Sequence, residues 1–459
     1  MFKRPAVQVA LFALATLVLK GAAALRLEPS TLEAYYWHYG QHPALSYHDH
    51  PGMTGWMLWL STSIFGDGLL GFRVLSLVAG TLSIGLMFLA GRRLFDEKVG
   101  RLAALLAGLV PMFVIYGARA TPDSPLLLFW TATLWALAHA LGGGRPAWWY
   151  AAGLFLGLAL DSKYSAIFLP LGVLGFLLSP DQRGWLRRKE PYIAVAIALA
   201  VFSPTLIWNA QHEWRSLAYQ GAGRFAEGRP LSWKTAYQFP MEQMALMTPV
   251  VAAAAWLFGI RALFQWRNSS WAVRLLAATS LPLLLFFLPV SFVRSVVAHW
   301  TAPGYVGAIL LVAAGGFWRR AHLATLWGLA LLLAALPVAL FVAPKRNLEG
   351  WKQLAHTVGR FKPDFVVAAD YRYAAELGYF LRPIPACDLK GYGGFNDWWN
   401  PKDHLGANAV IVDYADRPTE SLADAFDRVE PPVFVTASRW GSRSVPLRIR
   451  RAFGYRGSR

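Results

Sequence analysis

The chain has 459 residues, 56% of them hydrophobic and 15% charged, with a mean hydropathy of +0.37 and a formal net charge of +18. Such a composition is too apolar for a soluble globular domain and calls for a polytopic membrane protein. The basic residues fall mostly in short loops, where the positive-inside rule accounts for them without any nucleic-acid partner, and the lone Cys387 excludes an intramolecular disulfide and a cysteine-based zinc site.

Crossing a hydrocarbon core of ~30 Å takes roughly 20 apolar residues. Runs of this kind lie around 7–24, 69–90, 102–117, 125–141, 147–160, 165–179, 191–208, 244–264, 275–292, 302–317 and 323–343, which predicts about eleven membrane helices. The first follows Lys3 and Arg4 as a signal peptide would, but the many runs behind it make it a retained span. With a cytoplasmic amino terminus, the inner loops collect Arg92, Arg93, Lys98, Arg101, Arg187, Arg188 and Lys189, and an odd number of spans places everything after Lys345 outside.

Directly behind the first span, EAYYWHYGQHPALSYHDHPG (Glu33–Gly52) packs two acids, four histidines and four tyrosines into twenty residues. Further along come GARATPDSP with Arg119 and Asp123, then DSKYS with Asp161, Lys163 and Tyr164. WNAQHEWRSLAYQGAGRF runs from Trp208 to Phe225, and RSVVAHWTAPGY carries His299 and Trp300. All of these segments share the side of the opening stretch. Beyond Pro344 the pattern changes. FVVAAD, AVIVDY and PVFVTAS read as strands, Ser421–Arg428 reads as helical, and the basic end RIRRAFGYRGSR reads as frayed or membrane-facing. The predicted organisation is a membrane domain over 1–345, with a first external loop at 25–68, and an extracytoplasmic (periplasmic) α/β domain over 346–459.

Acids, cations and aromatic hydrogen-bonding groups beside a lipid-exposed cavity suit a phosphate-bearing lipid donor. Sugar transfer from a polyprenyl phosphate needs a carboxylate to take the acceptor's proton and fixed cations to stabilise the departing phosphate. Glu33 and Asp49 are the candidate acids. Lys163 and Arg119, costly beside membrane spans, are the candidate cations. Each has a structural competitor: helix capping for Glu33 and, more strongly, for Asp123, turn geometry before Pro51 for Asp49, snorkelling for Lys163 and Arg119, and an aromatic belt for His299 and Trp300.

The ordered set EAYYW, YHDHPG, FGDGLLGFRV, RRLFDEKVGRLAALLAGLVPMFVIYGARATPDSPLLLFW, DSKYSAIFLP, FSPTLIWNAQHEW and HWTAPGY resembles glycosyltransferase family 39, integral membrane enzymes of the GT-C fold. This group includes protein O-mannosyltransferases and bacterial enzymes that place aminoarabinose or galacturonic acid on lipid A. The resemblance implies an acid pair opening the first external loop, whose first member is the catalytic base; here the pair reads Leu32-Glu33. Either Glu33 takes that role, or Asp49 does, or activity is impaired, and Glu33 is the favoured base with Asp49 as second acid. The resemblance further implies Lys163 as phosphate ligand, with Arg119 next; Tyr164 and His50 are read as further donor-binding residues, and Tyr35, Tyr36, Asp123, His299 and Trp300 as lining the substrate cavity. It points to the bacterial inner membrane. The partners are a polyprenyl-phosphate sugar donor, a lipid, glycan or protein acceptor, and membrane lipid. Some GT-C enzymes bind a divalent cation, and Glu33, His48, Asp49 and His50 carry suitable ligand atoms, but no HExxH-like spacing is present, so no cofactor is required by this reading. The rival readings are a lipid or small-anion transporter, which calls for inverted repeats, and a catalytically impaired glycan-binding membrane protein.

Overall fold

The structure is a computed structural model that describes residues 5–223, 230–315, 324, 328–331, 335, 350–389, 395, 397–416, 418–437 and 445–457. In chain order the helices begin with α1 (Pro5–Ala24), α2 (Thr31–Gln41), α3 (Met53–Phe65), α4 (Leu69–Leu94), α5 (Glu97–Leu109), α6 (Pro111–Tyr116), α7 (Asp123–Leu141), α8 (Trp148–Ser162) and α9 (Phe168–Leu177). They continue with α10 (Lys189–Gln211), α11 (Arg215–Ala218), α12 (Trp233–Met247), α13 (Pro249–Phe264), α14 (Trp271–Val293), α15 (Ala302–Ala314), α16 (Gly350–Gly359) and α17 (Tyr371–Leu381). The strands are β1 (Phe365–Ala368), β2 (Ala386–Cys387), β3 (Ala409–Tyr414), β4 (Phe426–Val429), β5 (Val433–Ala437) and β6 (Val445–Tyr455).

Five of these helices, α1, α4, α7, α10 and α14, are long and apolar enough to cross a membrane, so the chain is a multi-pass membrane protein. Other predicted spans fall on shorter or broken helices. The run at 102–117 splits into α5 and α6 because Pro111 lacks the N–H that would continue the ladder and biases Val110 out of the helical region (ψ 126°). The run at 244–264 becomes α13, preceded by α12 at a bend of 109°. The predicted span at 323–343 lies largely outside the described residues.

Chain contacts divide the protein into two compact units that do not follow a linear cut at 345: Met1–Ala22, His50–Thr54 and Arg73–Pro337 form one, and Ala23–Asp49, Gly55–Phe72 and Val338–Arg459 the other. In the first unit, α8 carries small residues one turn apart at Gly153 and Gly157, and α10 lies directly on them. A Cβ at Gly153 would stand 2.3 Å from the Ala194 carbonyl oxygen and one at Gly157 2.5 Å from Val201 Cβ. Small residues at this spacing let helix backbones approach where lipid supplies no hydrophobic drive. Trp130, Leu134, Leu275, Leu284, Tyr305 and Ile309 are fully buried in the same core.

In the second unit most of the stretch predicted as the first external loop joins the α/β domain. Ser30 caps α2 in a reciprocal box with Glu33, and the helix buries Tyr35, Trp37, His38 and Tyr39. Trp37 and Tyr379 meet edge to face at 5.4 Å, Tyr35 and Tyr371 likewise, and His38 Nε2 lies 3.3 Å from the Ala375 carbonyl. The Glu28 carboxylate accepts from the amides of Trp351 and Lys352, satisfying the amino-terminal turn of α16 across more than 300 residues of chain. The sheet runs β2-β1-β3-β6-β4, with β5 also on β6; β1 is parallel to β2 and β3, and β6 is antiparallel to β3, β4 and β5.

The three predicted strands are β1, β3 and β5. Two expectations for this domain are corrected. The basic end is the strand β6 rather than a frayed tail, with Leu447, Ile449, Ala452 and Tyr455 buried. Its arginines have acids to meet: Arg448 forks onto both Asp413 oxygens at 2.7 and 2.8 Å, Arg450 reaches Asp413 at 3.1 Å, and both bond to Glu420. Ser421–Arg428 is not helical throughout either; a 3-10 turn at Glu420–Ala425 gives way to β4.

Candidate active site

Within the membrane unit a cavity of about 350 Å³ is walled mainly by apolar and aromatic side chains, among them Leu160, Phe168, Phe202, Phe286 and Phe287. Its polar lining comes from His50, Lys163, Tyr164, Ser165, Gln220 and the indole of Trp300. Lys163 reaches it because α8 ends there: the residue is extended (φ −162°, ψ 137°) and the chain restarts as a 3-10 turn at Tyr164–Ile167. Lys163 Nζ donates to Asp123 Oδ1 at 2.8 Å, with both side chains buried, and His299 Nε2 stands 3.6 Å from Asp123 Oδ2. His299 stacks on Tyr116 with ring centroids 4.5 Å apart.

An ammonium in so apolar a setting is costly alone, and the Asp123 carboxylate beside it offsets that cost. Tyr164 is fixed in turn: its hydroxyl shares a hydrogen bond of 2.7 Å with Ser216 Oγ and receives one of 3.4 Å from Asn209 Nδ2. The turn at Ala298–Thr301 that presents Trp300 is latched to α12, since Gln243 donates to the Ala298 carbonyl at 3.1 Å and accepts from Thr301 Oγ1 at 2.8 Å.

In the second unit Asp49 is held by two phenol donors. Its Oδ1 accepts from Tyr35 Oη at 2.9 Å and also from Tyr39 Oη, and Tyr39 bonds to Tyr35 at 3.2 Å. Burial first, and then the Asp49 charge, hold the Tyr39 phenol protonated well above its ordinary range, so it stays a donor. Tyr39 stacks on Tyr47 at 3.7 Å, and Tyr47 donates to the Tyr39 carbonyl. Glu33 is 1% exposed, and its carboxylate accepts from the backbone amide (2.8 Å) and hydroxyl (3.0 Å) of Ser30. His38 is buried and pushed down to about 3 by desolvation, which keeps it neutral.

Residues 49–208 match the sequence model of the dolichyl-phosphate-mannose-protein mannosyltransferase family. Among solved structures, ArnT from Cupriavidus metallidurans bound to undecaprenyl phosphate superposes with a TM-score of 0.67 over 96% of this chain and 98% of that one, at 15% identity. Over residues 49–208 the chain is similar to that mannosyltransferase family, and it shares the GT-C fold of ArnT. Among its relatives is the lipid A galacturonosyltransferase RgtD of Rhizobium johnstonii, 26% identical over 283 residues that cover 61% of this chain and 59% of that protein. Another is the undecaprenyl phosphate-alpha-4-amino-4-deoxy-L-arabinose arabinosyl transferase of Pseudomonas aeruginosa, 32% identical over 184 residues, 39% of this chain and 28% of that protein. The chain thus spans less than two thirds of the length of either relative.

Of the residues read from sequence, His50, Lys163, Tyr164 and Trp300 meet on one cavity wall. Asp123 and His299 are buried and pair beside Lys163 without lining the cavity. Capping was the stronger structural reading of Asp123, and it does not hold: Pro122 precedes α7 and no side-chain cap bond forms there, because the carboxylate turns to Lys163. Arg119 is half-buried with its guanidinium 5.8 Å from the Tyr116 ring centroid and is not on that wall. Tyr35 and Tyr36 belong to the aromatic core of the second unit, at 5.4 Å from each other. Among the described residues no group of three or more His, Cys, Asp or Glu side chains gathers as a metal site would. Tyr39, Asn209, Ser216 and Gln243 were not singled out from sequence. Only Tyr39 carried a signal, its i,i+4 spacing from Tyr35 on one helix face.

Proposed function

We propose that the protein is a membrane glycosyltransferase that moves a monosaccharide from a polyprenyl-phosphate donor to an envelope lipid, with inversion at the anomeric carbon. The observation that carries this reading is a buried lysine, paired with Asp123, at the wall of a cavity made mainly of aromatic and aliphatic side chains. That combination suits an anionic headgroup on a greasy carrier better than a soluble nucleotide sugar. The relatives' names, a lipid A galacturonosyltransferase and an arabinosyl transferase using an undecaprenyl-phosphate sugar, support donor and acceptor class. The bacterial inner membrane is the proposed setting, with the amino terminus cytoplasmic and the α/β domain outside.

In this mechanism Lys163 and His50 hold the carrier phosphate, and Tyr164 and Trp300 position the sugar through a hydrogen bond and an aromatic face. The base is Asp49, the chain neighbour of His50, rather than Glu33, whose carboxylate is engaged in capping α2. Asp49 takes the acceptor's hydroxyl proton, the new glycosidic bond forms as the bond to phosphate breaks, and the electron pair leaves with the carrier phosphate. Lys163 compensates the charge that develops there, so no metal is required.

The test is mass spectrometry of envelope lipids from cells with and without the gene, paired with a purified-protein assay on polyprenyl-phosphate sugars. Loss of one glycoform in cells, restored by the intact chain and not by Asp49→Asn, is expected. An unchanged lipid profile together with carrier movement between vesicle leaflets would favour the transporter.

A further inference from the structure

The helix α12 carries three stripes, each with a four-residue repeat, and each meets a different environment. Phe239, Gln243 and Met247 are buried against the protein. Trp233, Tyr237 and Met241 stand on the opposite side, 76%, 62% and 57% exposed. Lys234, Gln238 and Glu242 form a polar stripe between them, tied by a 2.8 Å bond from Gln238 to Glu242. A helix in water needs two such faces; a third, apolar and uncovered, calls for another solvent.

The helix is turned by 109° from α13 at Thr248, which sits at φ 64° and ψ 147°, a region β-branched residues seldom enter. Pro249 helps set this elbow, since a residue before proline is kept out of the helical region. α13 is an apolar helix of 16 residues with Leu257 and Phe264 exposed, side chains that face lipid where this helix enters the bilayer. Where α13 runs along the bilayer normal, an element bent through that angle from it runs close to the bilayer plane. Ser232 closes the far end of α12, donating its amide to the Phe292 carbonyl at the end of α14 at 2.7 Å.

We propose that α12 lies in the membrane interface, with Trp233, Tyr237 and Met241 seated in the boundary between headgroups and acyl chains and Lys234, Gln238 and Glu242 toward water. Tryptophan and tyrosine favour that depth, and a basic residue beside them suits anionic headgroups. The inner stripe of the same helix holds the turn bearing Trp300 through Gln243, so lipid contact on one face supports the cavity wall on the other.

The test uses the full chain with Cys387→Ser as background, reconstituted in vesicles of phosphatidylethanolamine and phosphatidylglycerol at roughly three to one. Single cysteines at Tyr237→Cys, Trp233→Cys and Lys234→Cys are labelled with one fluorophore. The first two should be quenched at least about threefold more by a quencher near the head of the acyl chain than by one deep in it or by aqueous iodide, and Lys234→Cys should favour iodide. Iodide dominating at both Trp233 and Tyr237 would overturn the proposal in favour of a water-facing protein surface, and dominance of the deep quencher would overturn it in favour of a re-entrant helix. The two apolar-stripe variants guard against one failing to fold, and because no sugar transfer is read, the outcome is independent of the transferase reading.

Discussion

Lys163 and Asp123 act as a pair, and their substitutions separate structure from chemistry. Lys163→Met leaves Asp123 buried without its lysine partner and removes the phosphate contact, so transfer should fall by about 100- to 1,000-fold. Combining it with Asp123→Leu removes both charges, which relieves the burial cost and should restore yield of folded protein while transfer stays lost; initial rates and gel filtration read the two effects. The acids part in the same way. Asp49→Asn should lower kcat by about 100- to 10,000-fold, as removal of a general base does. Glu33→Gln weakens a cap and should cost about 1 kcal/mol of stability with kcat largely kept. If Glu33→Gln abolishes transfer at unchanged thermal stability, the base assignment is reversed. The types and order of these residues were readable in DSKYS and YHDHPG. Their partners were not, because the lysine and its aspartate lie 40 residues apart and meet only through helix packing.

Among the elements, α2, α3 and α8 show how short segments depend on what lies across from them. In Gly55→Ala the new Cβ would sit 2.2 Å from the Tyr47 hydroxyl, and in Gly153→Ala 2.3 Å from the Ala194 carbonyl. Backbone has to shift at Gly153, whereas a side-chain end has to move at Gly55. Each should lose about 1–3 kcal/mol, Gly153→Ala the more, measured by thermal unfolding in detergent. His38 on α2 supplies a pH dependence. The unfolded chain protonates this imidazole below its ordinary value of about 6.5, whereas the folded one does not until about 3, so the unfolded state binds the extra proton in between. Stability should therefore be full above pH 6.5 and fall as pH drops toward 3, and His38→Gln should flatten that slope. Helix periodicity made most membrane helices visible. The stretch at 31–41 read as loop chemistry because its apolar and polar groups are the same tyrosines, tryptophan and histidine.

For the whole molecule, the second unit ties residues near 30 to residues beyond 350. Glu28 caps α16, and α2 lays its aromatic face on α17. A chain truncated after residue 345 should therefore expose Tyr35, Trp37 and Tyr39 and lose monodisperse behaviour in detergent and transfer activity together, even though every predicted membrane run remains. The acids Asp413 and Glu420 likewise convert a basic end into a strand inside the sheet. Its apolar residues alternate with arginines at Leu447 to Arg450, a period-two pattern that the charge obscured.

Composition and hydropathy alone determined that this is a multi-pass protein, because apolar runs near 20 residues have no other stable solvent. The ordered polar motifs singled out four residues of the cavity wall, because those side chains are out of place beside lipid unless something nearby compensates them. Tertiary structure decided which acid caps a helix and which is held by phenols, where Asp123 spends its charge, and that the stretch behind the first helix folds with the carboxyl-terminal sheet. Those outcomes depend on contacts between segments tens to hundreds of residues apart, and local pattern carries no information about which distant partner will arrive.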